Sequence, residues 1–158
     1  MISLIWAMTY DHLIGNKNRI PWHIKEDLIY YKKKTNGKTV LMGEATYYSL
    51  KGYYKTRPLP YGKIYVASLN NELSLPDATI INDAISFLEN NKEELWVVGG
   101  AQIYKLALPY ADNLYISFVK GNYAGDAYFP NIDFDKYKLT WENDTIDVKY
   151  TLYERVKL

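Results

Sequence analysis

Apolar and polar positions change period several times along the chain, and each change marks an element. Residues 2–8 (Ile2-Ser3-Leu4-Ile5-Trp6-Ala7-Met8) are almost wholly apolar, the pattern of a short strand buried in a sheet. Residues 9–23 lose all period and carry Gly15, Asn16, Asn18 and Pro21. A structureless loop of that length inside a compact domain is uncommon and usually functional. Helical spacing then begins. Ile24, Asp27, Leu28 and Tyr31 fall on one stripe at i, i+3, i+4 and i+7, while Lys25, Glu26, Lys32 and Lys33 point to water. This helix runs to about Lys34 and ends before Asn36-Gly37.

The rest alternates. The pattern predicts a strand at 39–42, a helix at 44–50, a Tyr/Lys/Pro-rich loop to Gly62 and a strand at 64–67 stopping at Ser68. A short strand at 79–81 leads into a helix capped near Asn82 or Asp83, with Ala84, Ile85 and Leu88 inward. A strand at 95–98 turns at Gly99-Gly100 into a helix at 102–108, which Pro109 stops, and a strand follows at 114–119. The tail, 138–141 and 150–156, reads as two antiparallel strands, with Glu142-Asn143-Asp144 starting their connection. Strands alternating with helices up to Pro109 imply an α/β fold: one domain over 1–158, a mostly parallel twisted sheet with helices on both faces, closed by an antiparallel hairpin. In such sheets ligands bind at the carboxyl ends of the strands, near a topological switch.

Composition removes several classes. With 19 basic and 18 acidic side chains in 158 residues, the formal charge of +1 gives no electrostatic case for nucleic acid or an anionic membrane. No cysteine is present, so there is no disulfide framework and no thiolate metal site, and His12 and His23 are too few for the usual histidine zinc site. The first eight residues lack the basic start of a signal peptide, and no apolar run approaches membrane-spanning length. These features fit a soluble, intracellular protein of the cytoplasm.

Asp27 is the first candidate for chemistry. A carboxylate on a core-facing stripe loses hydration, and must neutralise or find a hydrogen-bonding or cationic partner. The stripe alone leaves a second reading of equal standing: a first-turn acid complementing the helix dipole after Pro21. Two strand-to-glycine-to-helix corners come next, Met42-Gly43-Glu44-Ala45-Thr46 and Val98-Gly99-Gly100-Ala101-Gln102-Ile103-Tyr104. Each places a backbone without Cβ at the end of a strand and opens a helix whose free N–H groups attract anions. Together they could hold the two phosphates of a dinucleotide, with Thr46 adding a hydroxyl. Neither matches G-x-G-x-x-G, so an ordinary Rossmann domain is not indicated. Trp22 as a loop anchor, Ser117 as a sheet hydroxyl, Lys32-Lys33-Lys34 as a solvated helix end and Gly125-Asp126 as a plain turn all have ordinary structural readings.

In order along the chain stand Met1-Ile2-Ser3-Leu4-Ile5, Ile14-Gly15, Pro21-Trp22, Asp27-Leu28, Met42-Gly43, Arg57-Pro58-Leu59-Pro60, Val98-Gly99-Gly100, Ile103-Tyr104 and Gly125-Asp126-Ala127-Tyr128-Phe129-Pro130. This set closely resembles dihydrofolate reductase of the bacterial chromosomal type over nearly the whole chain. The resemblance implies reduction of 7,8-dihydrofolate by NADPH, with hydride delivered to pterin C6 and a proton to N5, in a monomer that diaminopyrimidine and pteridine antifolates inhibit. Asp27 would bind the N3 and 2-amino edge of the pterin, Trp22 would hold a water and help close the loop, and Ser117 would support Asp27. Ile5 and Val98 would offer carbonyls, Leu28, Tyr31, Leu50 and Tyr104 would wall the pocket, and Arg57 would contribute to substrate binding. Ala7 would touch both ligands. Ile14, Gly15, Gly43, Thr46, Ser68, Gly99, Gly100, Gln102 and Ile103 match cofactor-contact positions. Residues 9–23 would be a mobile lid, and the peptide between the two glycines is often cis in this family.

Three departures sharpen the expectations. Glu44 and Leu69 stand where the family usually carries groups for the cofactor's 2′-phosphate, so a weaker preference for NADPH over NADH than the family norm is expected, with NADPH still first. Gly62 stands where an arginine normally binds the substrate's glutamate, leaving Lys63, Arg57 or Lys32 as substitutes, Lys63 first. The alternatives to dihydrofolate reduction are a related pterin or pyrimidine reductase and a non-catalytic nucleotide-binding module.

Overall fold

The computed structural model describes residues 1–17 and 19–157; Asn18, one of the loop markers, and Leu158 lie outside the described residues. Among the described residues the main sheet has eight strands: β1 (Ile2–Thr9), β3 (Thr39–Gly43), β4 (Lys63–Ala67), β5 (Thr79–Ile81), β6 (Leu95–Val97), β7 (Asn113–Val119), β9 (Tyr137–Asp144) and β10 (Val148–Arg155). Their spatial order is β5-β4-β3-β6-β1-β7-β10-β9, parallel from β5 to β7, with β10 and β9 antiparallel at one edge. The remaining strands, β2 (Leu13–Gly15) and β8 (Ala127–Tyr128), form a separate antiparallel pair.

The pleat of β1 divides the protein into two faces. Ile2, Leu4, Trp6 and Met8 enter one apolar cluster, with Leu88 of α3 (Ala84–Glu89) and Tyr104 and Ala107 of α4 (Ala101–Ala107). Ile5 enters the other, which α1 (Lys25–Thr35) and α2 (Glu44–Tyr54) cover with Tyr30, Tyr31, Tyr47, Leu50 and Tyr54. Leu4, Met8, Val40, Leu41, Val97 and Val66 are fully buried, as a central parallel sheet covered on both faces requires.

Several expectations are corrected here. The span 9–23 is not structureless, because β2 lies within it and pairs with β8. Helix α2 does not stop at residue 50 but continues through Gly52 to Tyr54, ending at Lys55 with φ 57°. A glycine inside a helix costs about 1 kcal/mol; packing of Tyr54 into the second cluster offsets it. Glu142, Asn143 and Asp144 belong to β9 rather than to the connection, and pair with Thr151, Tyr150 and Lys149 of β10. The β6 strand ends at Val97 and β10 at Arg155. In α3 the inward pair is Phe87 and Leu88, while Ile85 is 46% exposed; Asp83 caps Ser86 N at 3.0 Å and sets that phase. In α1 the only buried residue is Thr35, and Leu28 is 42% exposed. Its stripe is only partly covered: Tyr31 packs on the second cluster, while Ile24 and Asp27 are half-buried and Leu28 is open.

Candidate active site

The cleft opens where two parallel strands part. β1 and β6 are in register from Ile2↔Leu95 to Leu4↔Val97 and no further. Beyond that point β6 turns toward β3: Val98 N donates to Leu41 O at 3.0 Å, and Gly43 N to Gly99 O at 2.8 Å. The edge of β1 from Ile5 onward is therefore left without a strand partner on that side, and the Tyr104 hydroxyl donates to Ile5 O at 2.8 Å. Ile5 and Val98, both expected to offer carbonyls, thus border one opening.

The Gly99-Gly100 peptide is cis and Gly99 has φ 120°, a conformation that side chains rarely adopt. A Cβ on Gly43 would stand 3.0 Å from Ile103 Cγ1, and one on Gly100 would stand 3.5 Å from Thr46 Oγ1. Gly43, Thr46, Gly99, Gly100 and Ile103 are thus brought together, although they come from two segments far apart in the chain. The close backbone approach and the free N–H groups at the start of α2 suit a pyrophosphate. Gln102 lies exposed on the rim. Ser68, next to the end of β4, donates to Glu44 Oε1 at 2.5 Å.

On the other side of β1, Ala7 pairs with Ser117 of β7, and Ser117 with Tyr150 of β10, so the three form a row beneath α1. Asp27 hangs over this row from the first turn of α1. Burial pushes its carboxyl up to about 6; the Ser117 hydroxyl pulls the other way by favouring the carboxylate, and Glu26 adds a smaller upward push. Both readings of Asp27 therefore hold at once: it is a first-turn acid and it is substantially desolvated. Tyr150 was not anticipated. Its hydroxyl is buried, has no hydrogen-bond partner among the described residues, and is held well above the usual tyrosine range by burial and by Asp27.

The cleft continues between α1 and α2. Tyr31 and Tyr61 share a hydrogen bond of 2.8 Å, and Leu50 packs in the same cluster. Tyr61 also escaped the sequence reading, since nothing in a proline-flanked loop signals which hydroxyl it meets. Lys32 Nζ lies 5.8 Å and Arg57 Cζ 5.1 Å from the centroid of the Tyr54 ring. Lys63 stands elsewhere: its ammonium is 5.0 Å from the ring of Tyr65, which packs with Phe87 on the opposite face of the sheet. Its expected place as first substitute for the missing arginine is overturned by strand parity, because Lys63 and Tyr65 share a face that Ile64 and Val66 do not.

The loop after β1 is clamped from both sides. Asp126 N donates to Gly15 O at 3.0 Å, and Lys17 N donates to Asp126 Oδ1 at 3.2 Å. A Cβ at Gly125 would stand 2.4 Å from Gly15 O, so this turn requires glycine by close approach. Gly125-Asp126 is thus more than a turn. Ile14 packs against the core beside β1. Trp22 is buried against Tyr123, and its indole N–H finds no acceptor among the described residues.

Comparison with known proteins agrees with this geometry. The family model for dihydrofolate reductase matches residues 1–155. The chain belongs to the dihydrofolate reductase family. Dihydrofolate reductase of Bacillus subtilis is 35% identical over 98% of this chain and 95% of its own length. That of Buchnera aphidicola is 41% identical over 82% of this chain and 78% of its own. Among solved structures, dihydrofolate reductase from Enterococcus faecalis complexed with NADP(H) and RAB-propyl superposes with a TM-score of 0.85 at 24% identity, covering 99% of this chain and 97% of that one. For this dihydrofolate reductase family member no helix among the described residues is long and apolar enough to cross a membrane.

Proposed function

We propose that this protein reduces 7,8-dihydrofolate to tetrahydrofolate with NADPH, as a monomer in the cytoplasm. The observation that carries the reading is the placement of one desolvated carboxyl, Asp27, over Ser117, beside the opening between β1 and the Gly99-Gly100 corner. The glycine corner and Thr46 suit the two phosphates, and the edge of β1 at Ile5 and Ala7 would take the nicotinamide and the pterin. Bound NADPH supplies a hydride to pterin C6.

The protein's own part is orientation and control of the proton. Asp27 accepts from the N3 and 2-amino edge of the pterin and polarises the ring, which raises the proton affinity of N5; water delivers the proton. Ser117 holds the carboxyl in place. Trp22, with an uncommitted indole N–H, is suited to position that water. Closure of the loop held by Asp126 excludes bulk water. Diaminopyrimidines with a protonated ring would pair with the same carboxylate through a charge-assisted bond.

The test is loss of absorbance at 340 nm with purified protein and NADPH, with and without dihydrofolate. Oxidation only when dihydrofolate is present supports the reading. Cofactor binding without turnover supports the non-catalytic module, and turnover with another pterin or a pyrimidine alone supports the related reductase. Size-exclusion chromatography tests the monomer.

A further inference from the structure

At the carboxyl edge of the sheet, the ends of β3 and β4 carry an unusual pair. β3 and β4 are parallel neighbours with Gly43 opposite Ala67, so the residues that follow them, Glu44 and Ser68, leave the sheet side by side. Ser68 Oγ donates to Glu44 Oε1 at 2.5 Å and itself accepts from Asn70 N at 3.1 Å. A serine hydroxyl has one proton. Here that proton is committed to a carboxylate.

If the nicotinamide lies at β1 and the phosphates at the β6 and β3 corners, the adenosine ribose falls toward β4. Three strand steps at ~4.8 Å each span roughly 14 Å, a distance an extended dinucleotide covers. The segments meeting there, residues 43–46, 66–70 and 99–103, contain Glu44 and no lysine, arginine or histidine. Lys51, on the same helix as Glu44, is already paired with Asp77 at 2.9 Å. Leu69, at the rim, is 92% exposed and offers neither charge nor a side-chain donor.

A 2′-phosphate carries about −1.5 to −2 charges at neutral pH and is normally met by arginine or lysine. A free 2′-hydroxyl is instead met by an acid that accepts a hydrogen bond from it, as in NAD-binding folds. We propose that the Glu44–Ser68 pair reads an unphosphorylated ribose, so that this enzyme takes NADH as a working cofactor nearly as readily as NADPH. The inference rests on the dinucleotide site proposed above.

The experiment measures binding as well as turnover. Isothermal titration of the purified full-length protein with NADPH and with NADH is expected to give Kd values within about tenfold of each other, and kcat/KM values for dihydrofolate reduction should follow. Glu44→Arg should tighten NADPH at least tenfold and leave NADH within about threefold. Glu44→Gln, which keeps an acceptor for Ser68 but removes the charge, should move NADPH part of the way. Wild-type protein that binds NADPH more than a hundredfold tighter than NADH overturns the proposal and leaves the dinucleotide site intact. So does a selectivity ratio unchanged in folded Glu44→Arg and Glu44→Gln. Binding of neither dinucleotide overturns both this proposal and the site it rests on.

Discussion

Two acids stand in the first turns of two helices along one sheet edge, and each faces a serine. Asp27 in α1 meets Ser117 of β7; Glu44 in α2 meets Ser68 beyond β4. Depth separates them. Ser117 is 2% exposed within a strand, and desolvation raises the proton affinity of the Asp27 carboxyl, with a pKa pushed up to about 6. Glu44 and Ser68 are both half-buried just beyond the ends of β3 and β4, open to water. The same pairing of an acid with a serine thus stands desolvated in the floor of the cleft and solvated at its mouth, which is why we assign proton control to the first and hydroxyl recognition to the second.

The sharpest way to break this contrast is Asp27→Asn. The hydride-transfer rate at neutral pH is expected to fall by a factor of about 100 or more. The loss should shrink at acid pH, where dihydrofolate arrives already protonated on N5. A near wild-type single-turnover rate at pH 7 would refute the assigned role. Dinucleotide binding at the Glu44 end should change little in the same variant, as a fluorescence titration would reveal.

Next in size are the cations beside Tyr54. Arg57→Ala or Lys32→Ala should raise KM for dihydrofolate by roughly three- to tenfold, the value of an exposed charge-assisted contact to the glutamate carboxylates. Lys63→Ala should leave KM within about twofold, because its side chain lies on the opposite face of the sheet. A larger effect at Lys63 than at Arg57 would reverse the assignment.

Ser117→Ala removes the group that partly restrains the rise at Asp27. The Asp27 midpoint should move further up, seen as an alkaline shift of the pH–rate profile. Ser68→Ala should leave that profile in place, which separates the two serines.

The smallest effect is on stability. A carboxyl whose folded pKa stands above its ordinary 3.8 keeps its proton longer in the folded state. Stability from this group is fully present below about 4 and is lost as the pH climbs through about 6. Asp27→Asn should therefore be more stable than wild type at pH 8, by on the order of 1 kcal/mol after allowance for partial exposure, and closer to it at pH 4. Denaturant melts at the two pH values measure the difference; a variant less stable at pH 8 than at pH 4, relative to wild type, contradicts this sign.

Much of this was legible in the linear chain because the signals are local. Apolar runs at 2–8 and 95–98, glycines after strands and a cap near Asn82 or Asp83 act within a few residues, and each led to an element within about a residue of the expected place. The misplacements have a common source. Helix α2 passed Gly52 because Tyr54 packs beneath the sheet, and β9 extended through Glu142, Asn143 and Asp144 because β10 lay alongside to pair with them. Ile85 and Leu28 followed the helical period, yet period says which residues share a face and not what that face meets.

The same boundary runs through the site. The residue pattern drew attention to Asp27 and to the two glycine corners at Gly43 and Gly99-Gly100, whereas Ser117 read as an ordinary sheet hydroxyl and gained a role only through the family resemblance. Folding determined that Ser117 lies under Asp27, that Tyr61 and Tyr150 approach from distant segments, and that Glu44 holds the proton of Ser68. It also put Lys63 on the far face, where no count of charges would have placed it. The reason is physical: residue type and spacing determine local conformation and polarity, while partners and desolvation depend on which strands become neighbours.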